Sequence, residues 1–286
     1  MTPRSPIRKT PKCYSGGAFI RSESARVYPI LHDNLVAHIP QCSRKDVRNA
    51  VEAAAKSAPA WQNRSGYNRG QILYRLAEML EARHAELCEA VAWGASHRDV
   101  SPDTEVSASI DMIVHFAGWC DKFEQCLGSV NPVASSHFCF TVNEPLGVCA
   151  AIAPESRPLM GLLGQILPLI TGGNPVVALA SSKRPYPAIL LGEMLATSDL
   201  PGGVVNLLTG FHKDLLPTLA SHGTIRGLLA SVSASEARDI RLAAAESVKR
   251  VQIIPAEETG SSSPAHALRL ISQFLELKTV WHPRGA

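Results

Sequence analysis

Five short runs dominate the second half of the chain: GVCAAIAP (147–154), NPVVALAS (174–181), GVVNLLTG (203–210), IRGLLAS (225–231) and RVQIIPA (250–256). GVCAAIAP and NPVVALAS are wholly apolar, with no polar face to give to water, and the other three complete the series. Such strands must be covered on both sides, a condition met inside a parallel sheet with helices above and below it. The intervening segments supply those helices: MGLLGQILPLITGG, closed by Gly172 and Gly173 as a C-cap, then PAILLGEMLATSDLP and DLLPTLASHG. The βαβαβ alternation predicts a Rossmann-like, doubly wound α/β sheet with right-handed crossovers.

The first half reads differently. YSGGAFIRSESARVYPI (14–30) alternates apolar and polar residues around glycines, as a short hairpin does. Ser43 is placed to cap a helix in which Val47, Val51, Ala54 and Ala55 recur at helical spacing. Ile72, Leu73, Leu76, Met79, Leu80 and Leu87 form a second helical stripe, and Ile110, Ile113, Val114 and Ala117 a third. SSHFCFTVNEP (135–145) reads as a strand ending at a turn. From Glu257 a polar, Ser-rich stretch reads as a linker, followed by a short helical turn and a last strand. In that strand Leu275, Leu277 and Trp281 alternate with Glu276, Lys278 and His282. A lone strand cannot satisfy its own backbone groups, so it is expected to join another sheet.

Composition narrows the class. The 286 residues carry a net charge of only +3, which argues against nucleic acid as an obligate partner. The basic cluster Arg4, Arg8, Lys9 and Lys12 reads as a disordered tail. No apolar run is long enough for a membrane span and no signal segment is visible, which leads to the expectation of a cytoplasmic protein without membrane contact. Seven cysteines (13, 42, 88, 120, 126, 139 and 149) without a CxxC pair read as reduced thiols. His115, Cys120 and Cys126 fall on a predicted helix with Trp119 and Phe123, a pattern of packing rather than metal binding, so no metal is expected.

The phrases NEPLGV (143–148), P-x-x-x-P (154–158), GN-x-VV (173–177), LPGGVVN (200–206) and TGF (209–211), in this order, resemble the NAD(P)-dependent aldehyde dehydrogenase superfamily. The resemblance extends back through GWCDK and the YSGGAF hairpin and forward to KRVQI, and is nearest to the degenerate second module of two-module members. It implies the coenzyme-type Rossmann-like domain of that family.

Carried over residue by residue, the resemblance also implies that the family chemistry is missing. The oxyanion-hole Asn of P-W-N-F-P corresponds to Ser156, between Glu155 and Arg157. The ribose-binding Lys of K-P-S-E corresponds to Leu179, followed by Ala180, Ser181 and Ser182; Lys183 lies four residues late. The first glycine beside the pyrophosphate corresponds to Val232, whose β-branched side chain obstructs close backbone approach. The general-base Glu corresponds to Ile254, with Glu257 and Glu258 out of phase. No cysteine stands in the family's nucleophile context, and without a thiolate no thiohemiacetal forms to donate hydride. The expectation is a pseudoenzyme, inactive by itself, with no cofactor where the family uses NAD.

FLELKTVWHP resembles the family's last strand, which belongs with the hairpin before EPLGV in its oligomerisation element. The chain is therefore expected to comprise a basic tail (1–12), a coenzyme-type domain (13–126 and 144–256), oligomerisation strands (127–143 and 266–286) and a linker replacing the catalytic domain (257–265). Interface residues are expected at Phe138, Phe140, Val142, Phe274, Leu275, Leu277, Val280 and Trp281. Loss of the catalytic domain is expected to leave apolar surface uncovered on the Rossmann-like half. The functional expectation is a non-catalytic subunit assembling with an active aldehyde dehydrogenase or with itself. The alternatives are a protein with residual NAD binding and a new activity built around Glu155, Ser156, Arg157, His212 or His222.

Overall fold

The computed structural model describes residues 9–32, 35–94, 100–259 and 264–285. β1 (Cys13–Ser15) and β2 (Ala18–Ile20) form a hairpin in the first part of the stretch 14–30 read as one, whereas its last residues, 27–30, begin a different strand. A second hairpin, β3 (Val27–His32) with β4 (Leu35–Pro40), was not anticipated. Pro29 and Pro40 mask it, since proline within a run argues against a strand unless the strand lies at an edge. α1 (Arg44–Gln62) opens on a capping box: Ser43 Oγ accepts from Asp46 N–H, and the Asp46 carboxylate accepts from Ser43 N–H at 2.8 Å.

The second predicted stripe is two helices, α2 (Gly66–Ala82) and α3 (His84–Ala92), broken where Arg83 leaves helical geometry. Its guanidinium there reaches both Glu86 and Glu193. α4 (Pro102–Trp119) buries Ile110, Ile113 and Phe116, while Val114, expected inward, is exposed. α5 (Phe123–Leu127) leads into β5 (Ser129–Asn131) and β6 (His137–Pro145).

The βαβ series then runs β7 (Cys149–Ile152), α6 (Met160–Thr171), β8 (Val176–Leu179), α7 (Tyr186–Leu195), β9 (Val205–Leu208) and α8 (His212–Ser221). It continues through β10 (Gly227–Ala230), α9 (Ala234–Ala245) and β11 (Arg250–Ile253). The strand order is β11-β10-β7-β8-β9-β1-β2, parallel from β11 to β9 and antiparallel from β9 to β2. Because β7 has β8 on one side and β10 on the other, the crossovers reverse there, and a crevice opens beyond the carboxyl ends of these strands.

Both sheet faces are packed. One core joins Leu73, Ile113 and Phe116 to the buried α6; the other joins Val47 and Val51 of α1 to Leu215 of α8 and Ile240 of α9. Two buried asparagines from the family-like phrases tie loops to this sheet. Asn206 accepts from Ser15 Oγ and Gly16 N–H and donates to Val176 O and Gly203 O. Asn174 accepts from Gly147 N–H and donates to Phe274 O and Leu169 O.

The C-terminal segment corrects two expectations. α10 (Pro264–Ser272) lays Ala267, Leu270 and Ile271 into the core beside α6, so the surface around α6 is covered. Phe274 and Leu275, expected at the interface, belong to this same core; Phe274 is 0% exposed. Its ring sits where a Cβ on Gly227 would approach to 2.7 Å, so glycine is required there. The division 266–286 is thus part core helix and part strand. Of the expected linker, residues 260–263 lie outside the described residues.

β12 (Leu275–Pro283) pairs antiparallel with β6 over nine residues, from Leu275↔Pro145 to Pro283↔His137, in a separate sheet ordered β12-β6-β5. Of the basic tail, residues 1–8 lie outside the described residues. Lys9, expected in a disordered tail, is instead ion-paired with Glu86 and Glu193.

Candidate functional site

Four loops meet beyond the carboxyl ends of β7, β8, β9 and β10 and enclose a cavity of about 490 Å³. Glu155, Ser156, Ser182, His212, Ser231, Val232 and Glu236 are among its lining residues. The β7 loop is shaped by Pro154 and Pro158 and by Arg157, whose φ of 49° is left-handed. Glu105, buried on α4, holds the loop's far end by accepting from Leu159 N–H (2.9 Å) and Met160 N–H (3.2 Å). Burial pushes the Glu105 carboxyl up despite these two bonds. The N-terminus of α6, a natural place for an external anion, thus already has a carboxylate from within the chain.

The loop tip is filled the same way. Glu155 Oε2 accepts from Ser181 Oγ (2.6 Å) and Lys183 N–H (3.0 Å), and Oε1 accepts from Ser182 Oγ (2.5 Å) and Ser182 N–H (3.3 Å). Burial would raise this carboxyl, but the donors from Ser181, Ser182 and Lys183, with His212 nearby, hold it below the usual carboxylate range. The serines after β8 are therefore engaged by an internal anion.

At the third corner, His212 Nδ1 lies 3.0 Å from Glu236 Oε1. Glu236 is also the capping-box residue of α9, accepting at Oε2 from Ser233 Oγ (2.6 Å) and Ser233 N–H (3.0 Å). Burial acts to raise its carboxyl, and the Ser233 and His212 bonds reverse this, leaving it below the ordinary range. With Glu236 ionised, His212 Nδ1 carries the hydrogen of that bond. Nε2 has no hydrogen-bond partner and lies 3.8 Å from Glu155 Oε1. The cavity wall thus bears two carboxylates, one imidazole and four serines, with no Lys or Arg side chain. This is an acid–base surface poorly matched to a pyrophosphate.

The structure brings together Ser156, Ser181 and Val232 of the sequence-derived positions: Ser156 and Val232 line the cavity and Ser181 holds Glu155. Leu179 and Ile254 are buried in the two cores and present nothing to the cavity. Glu257 and Glu258 are exposed, and His222 ends α8 at the opposite end from His212. His115 accepts from Trp119 Nε1 at 3.1 Å, and its neighbour Cys120 is buried. Glu236 and Glu105 were missed from sequence. The Ser-x-x-Glu spacing of Ser233 and Glu236 is a capping signal that marks the first; nothing local marks Glu105.

Among the described residues, His84, Cys88 and Asp103 also place potential metal-ligand atoms within 4.8 Å of one another. Cys88 Sγ faces Nδ1 of His84 while Asp103 Oδ1 faces Nε2, so no single ring nitrogen faces both partners.

The aldehyde dehydrogenase family matches residues 19–268. The chain belongs to that family. Cytosolic 10-formyltetrahydrofolate dehydrogenase of Pongo abelii is 32% identical over 271 residues, which are 90% of this chain and 29% of that protein. Retinal dehydrogenase 2 of Mus musculus is 30% identical over 272 residues, 92% of this chain and 51% of the relative. Among solved structures, PnpE in complex with nicotinamide adenine dinucleotide superposes with a TM-score of 0.81 at 27% identity. That match covers 86% of this chain and 51% of PnpE. The chain spans about half the length, or less, of these aldehyde dehydrogenase family relatives. Its central sheet is the family's Rossmann-like coenzyme domain. Among the described residues, no helix is long and apolar enough to cross a membrane.

Proposed function

We propose that this chain is a non-catalytic member of the aldehyde dehydrogenase family that assembles through the β12-β6-β5 sheet with an active aldehyde dehydrogenase subunit or with a second copy of itself. The observation that carries the reading is the exposed character of that sheet. Residues directly paired across it share a face, so Phe140, Val280 and Val130 line up, with Phe138 and Val142 flanking them. Phe138, Val142 and Val130 are exposed on this face, and the Phe138 and Phe140 rings are 5.5 Å apart. Leu277 and Trp281 occupy the opposite face and are 69% and 56% exposed. Among the described residues β12 stands at the end of the sheet order with its outer edge unpaired, an arrangement suited to strand addition by a partner.

The cavity supports the non-catalytic half of the reading. Glu155 stands among the donors that follow β8, and Leu179 and Ile254, which the resemblance matches to a cofactor-binding lysine and a general base, are core residues. Native pull-down followed by sedimentation tests the proposal. A complex with an aldehyde dehydrogenase subunit or a defined homo-oligomer supports it, and a monodisperse monomer in both assays overturns it.

A second reading, residual binding of NAD or a related nucleotide, is favoured by one feature. A slot of about 370 Å³ between α8 and α9, lined by Leu216, Pro217, Ala220, Ile240 and Ala243, lies beside His212 and is apolar enough for a base. Calorimetric titration with NAD decides between them.

A further inference from the structure

The two N-terminal hairpins are joined to the sheet at a pair of thiols the proposed assembly does not use. Cys13 Sγ, at the start of β1, lies 3.4 Å from Cys42 Sγ, just before the α1 cap, and both residues are buried. No other sulfur–sulfur contact of this kind occurs among the described residues.

The surrounding hydrogen bonds orient this contact. Thr209 Oγ1 gives its one hydrogen to Pro40 O at 2.6 Å. In its 3.2 Å contact with Cys13 the hydroxyl is therefore the acceptor and the Cys13 S–H is the donor. With that hydrogen committed to Thr209, Cys13 Sγ meets Cys42 Sγ as an acceptor. Cys42 N–H is anchored to Thr209 O at 3.0 Å, which fixes its backbone beside the same residue. Closing from 3.4 Å to a bond of about 2.05 Å requires the two side chains to approach by little more than an ångström. Cys42, unlike Cys13, also borders a surface cavity of about 240 Å³ lined by Ser24, Arg26, Gln41 and Lys213, which admits a small oxidant.

We propose that Cys13 and Cys42 form a site of reversible oxidative modification, closed to an intrachain disulfide by a peroxide-class oxidant. The Cys42 sulfur attacks one peroxide oxygen, the O–O bond breaks, and the Cys42 proton leaves with the first water, giving a sulfenic acid. The Cys13 sulfur then attacks the Cys42 sulfur. The S–S bond forms, the S–O bond breaks, and the second water carries away the Cys13 proton. Two thiols lose two electrons in total, and the peroxide accepts them. A thiol reductant reverses the step. Loss of the Cys13 hydrogen also removes its bond to Thr209, the residue that leads from β9 into the loop carrying His212, so the modification reports to the cavity.

The test uses the full chain. Protein treated with hydrogen peroxide, then alkylated and digested with trypsin without reduction, is expected to give peptide 13–21 joined to peptide 27–44, each of which holds one cysteine. Dithiothreitol is expected to separate them. Oxidised protein is expected to melt about 5–10 °C above reduced protein, and the difference is expected to vanish in Cys42→Ser. The proposal is overturned if peroxide leaves Cys13 and Cys42 fully alkylatable after unfolding, or takes Cys42 to sulfinic acid without joining the peptides. The peptide map of the unsubstituted protein decides this even if Cys42→Ser fails to fold.

Discussion

Glu155 Oε1 and His212 Nε2 face one another at 3.8 Å, with His212 held from behind by Glu236 and Glu155 held by the serines after β8. The cavity at the sheet's switch point is thus braced internally, with the Glu155 and Glu236 carboxyls held below the ordinary range by their donors.

Stability is expected to follow the titration of Glu155. Glu155 is held below its ordinary range in the folded chain, so its contribution is present above the carboxylate value of the unfolded chain, about 4.3. It is lost as pH falls through the lower folded value. Melting curves of wild type and Glu155→Gln are expected to separate near neutral pH by about 1–3 kcal/mol and to converge in acid. A separation that widens in acid contradicts the assignment.

Phe274 and Trp281 are expected to separate folding from assembly. Phe274→Ala opens a cavity in the main core and is expected to cost about 3–5 kcal/mol in denaturant unfolding. Trp281→Ala, on an exposed strand, is expected to change the unfolding of the isolated chain by less than about 1 kcal/mol while weakening the assembly seen by sedimentation. Equal effects of both on unfolding count against a docking role for β12.

Binding of NAD is expected to be absent, with no saturable heat up to about 1 mM ligand. Saturable binding would favour the slot between α8 and α9 and shift the functional reading toward a nucleotide sensor.

Asn206→Leu keeps the volume but removes a fully buried amide that serves Ser15, Gly16, Val176 and Gly203. The four groups left behind are expected to cost about 2–4 kcal/mol and to loosen the β1–β2 hairpin, seen as faster amide exchange at Gly16.

The parallel sheet was legible because apolar runs such as VVAL and GLLA leave no face for solvent, and Ser43 and the paired glycines mark helix ends in the local code. The β3–β4 hairpin was not, because its strands are largely exposed and carry prolines. In the cavity, Ser156 and Val232 followed from family phrases. The Glu155–His212–Glu236 relationship joins loops after β7 and β9 to the first turn of α9, and no sequence spacing encodes it. The covered face of α6 escaped prediction because the polar Ser-rich stretch reads as a linker, while the segment after it carries the apolar face of α10.

Phe274 immediately precedes β12 and Leu275 begins it, so the chain closes its core and builds the β12-β6-β5 sheet with one continuous segment. Both depend on residues made after the rest of the fold and on pairing with β6, far earlier in the sequence. A nascent or damaged chain that has not seated Phe274 has no ordered edge to offer. In the proposed assembly, competence to join a complex is conditional on completed folding, a proofreading step that needs no separate checkpoint.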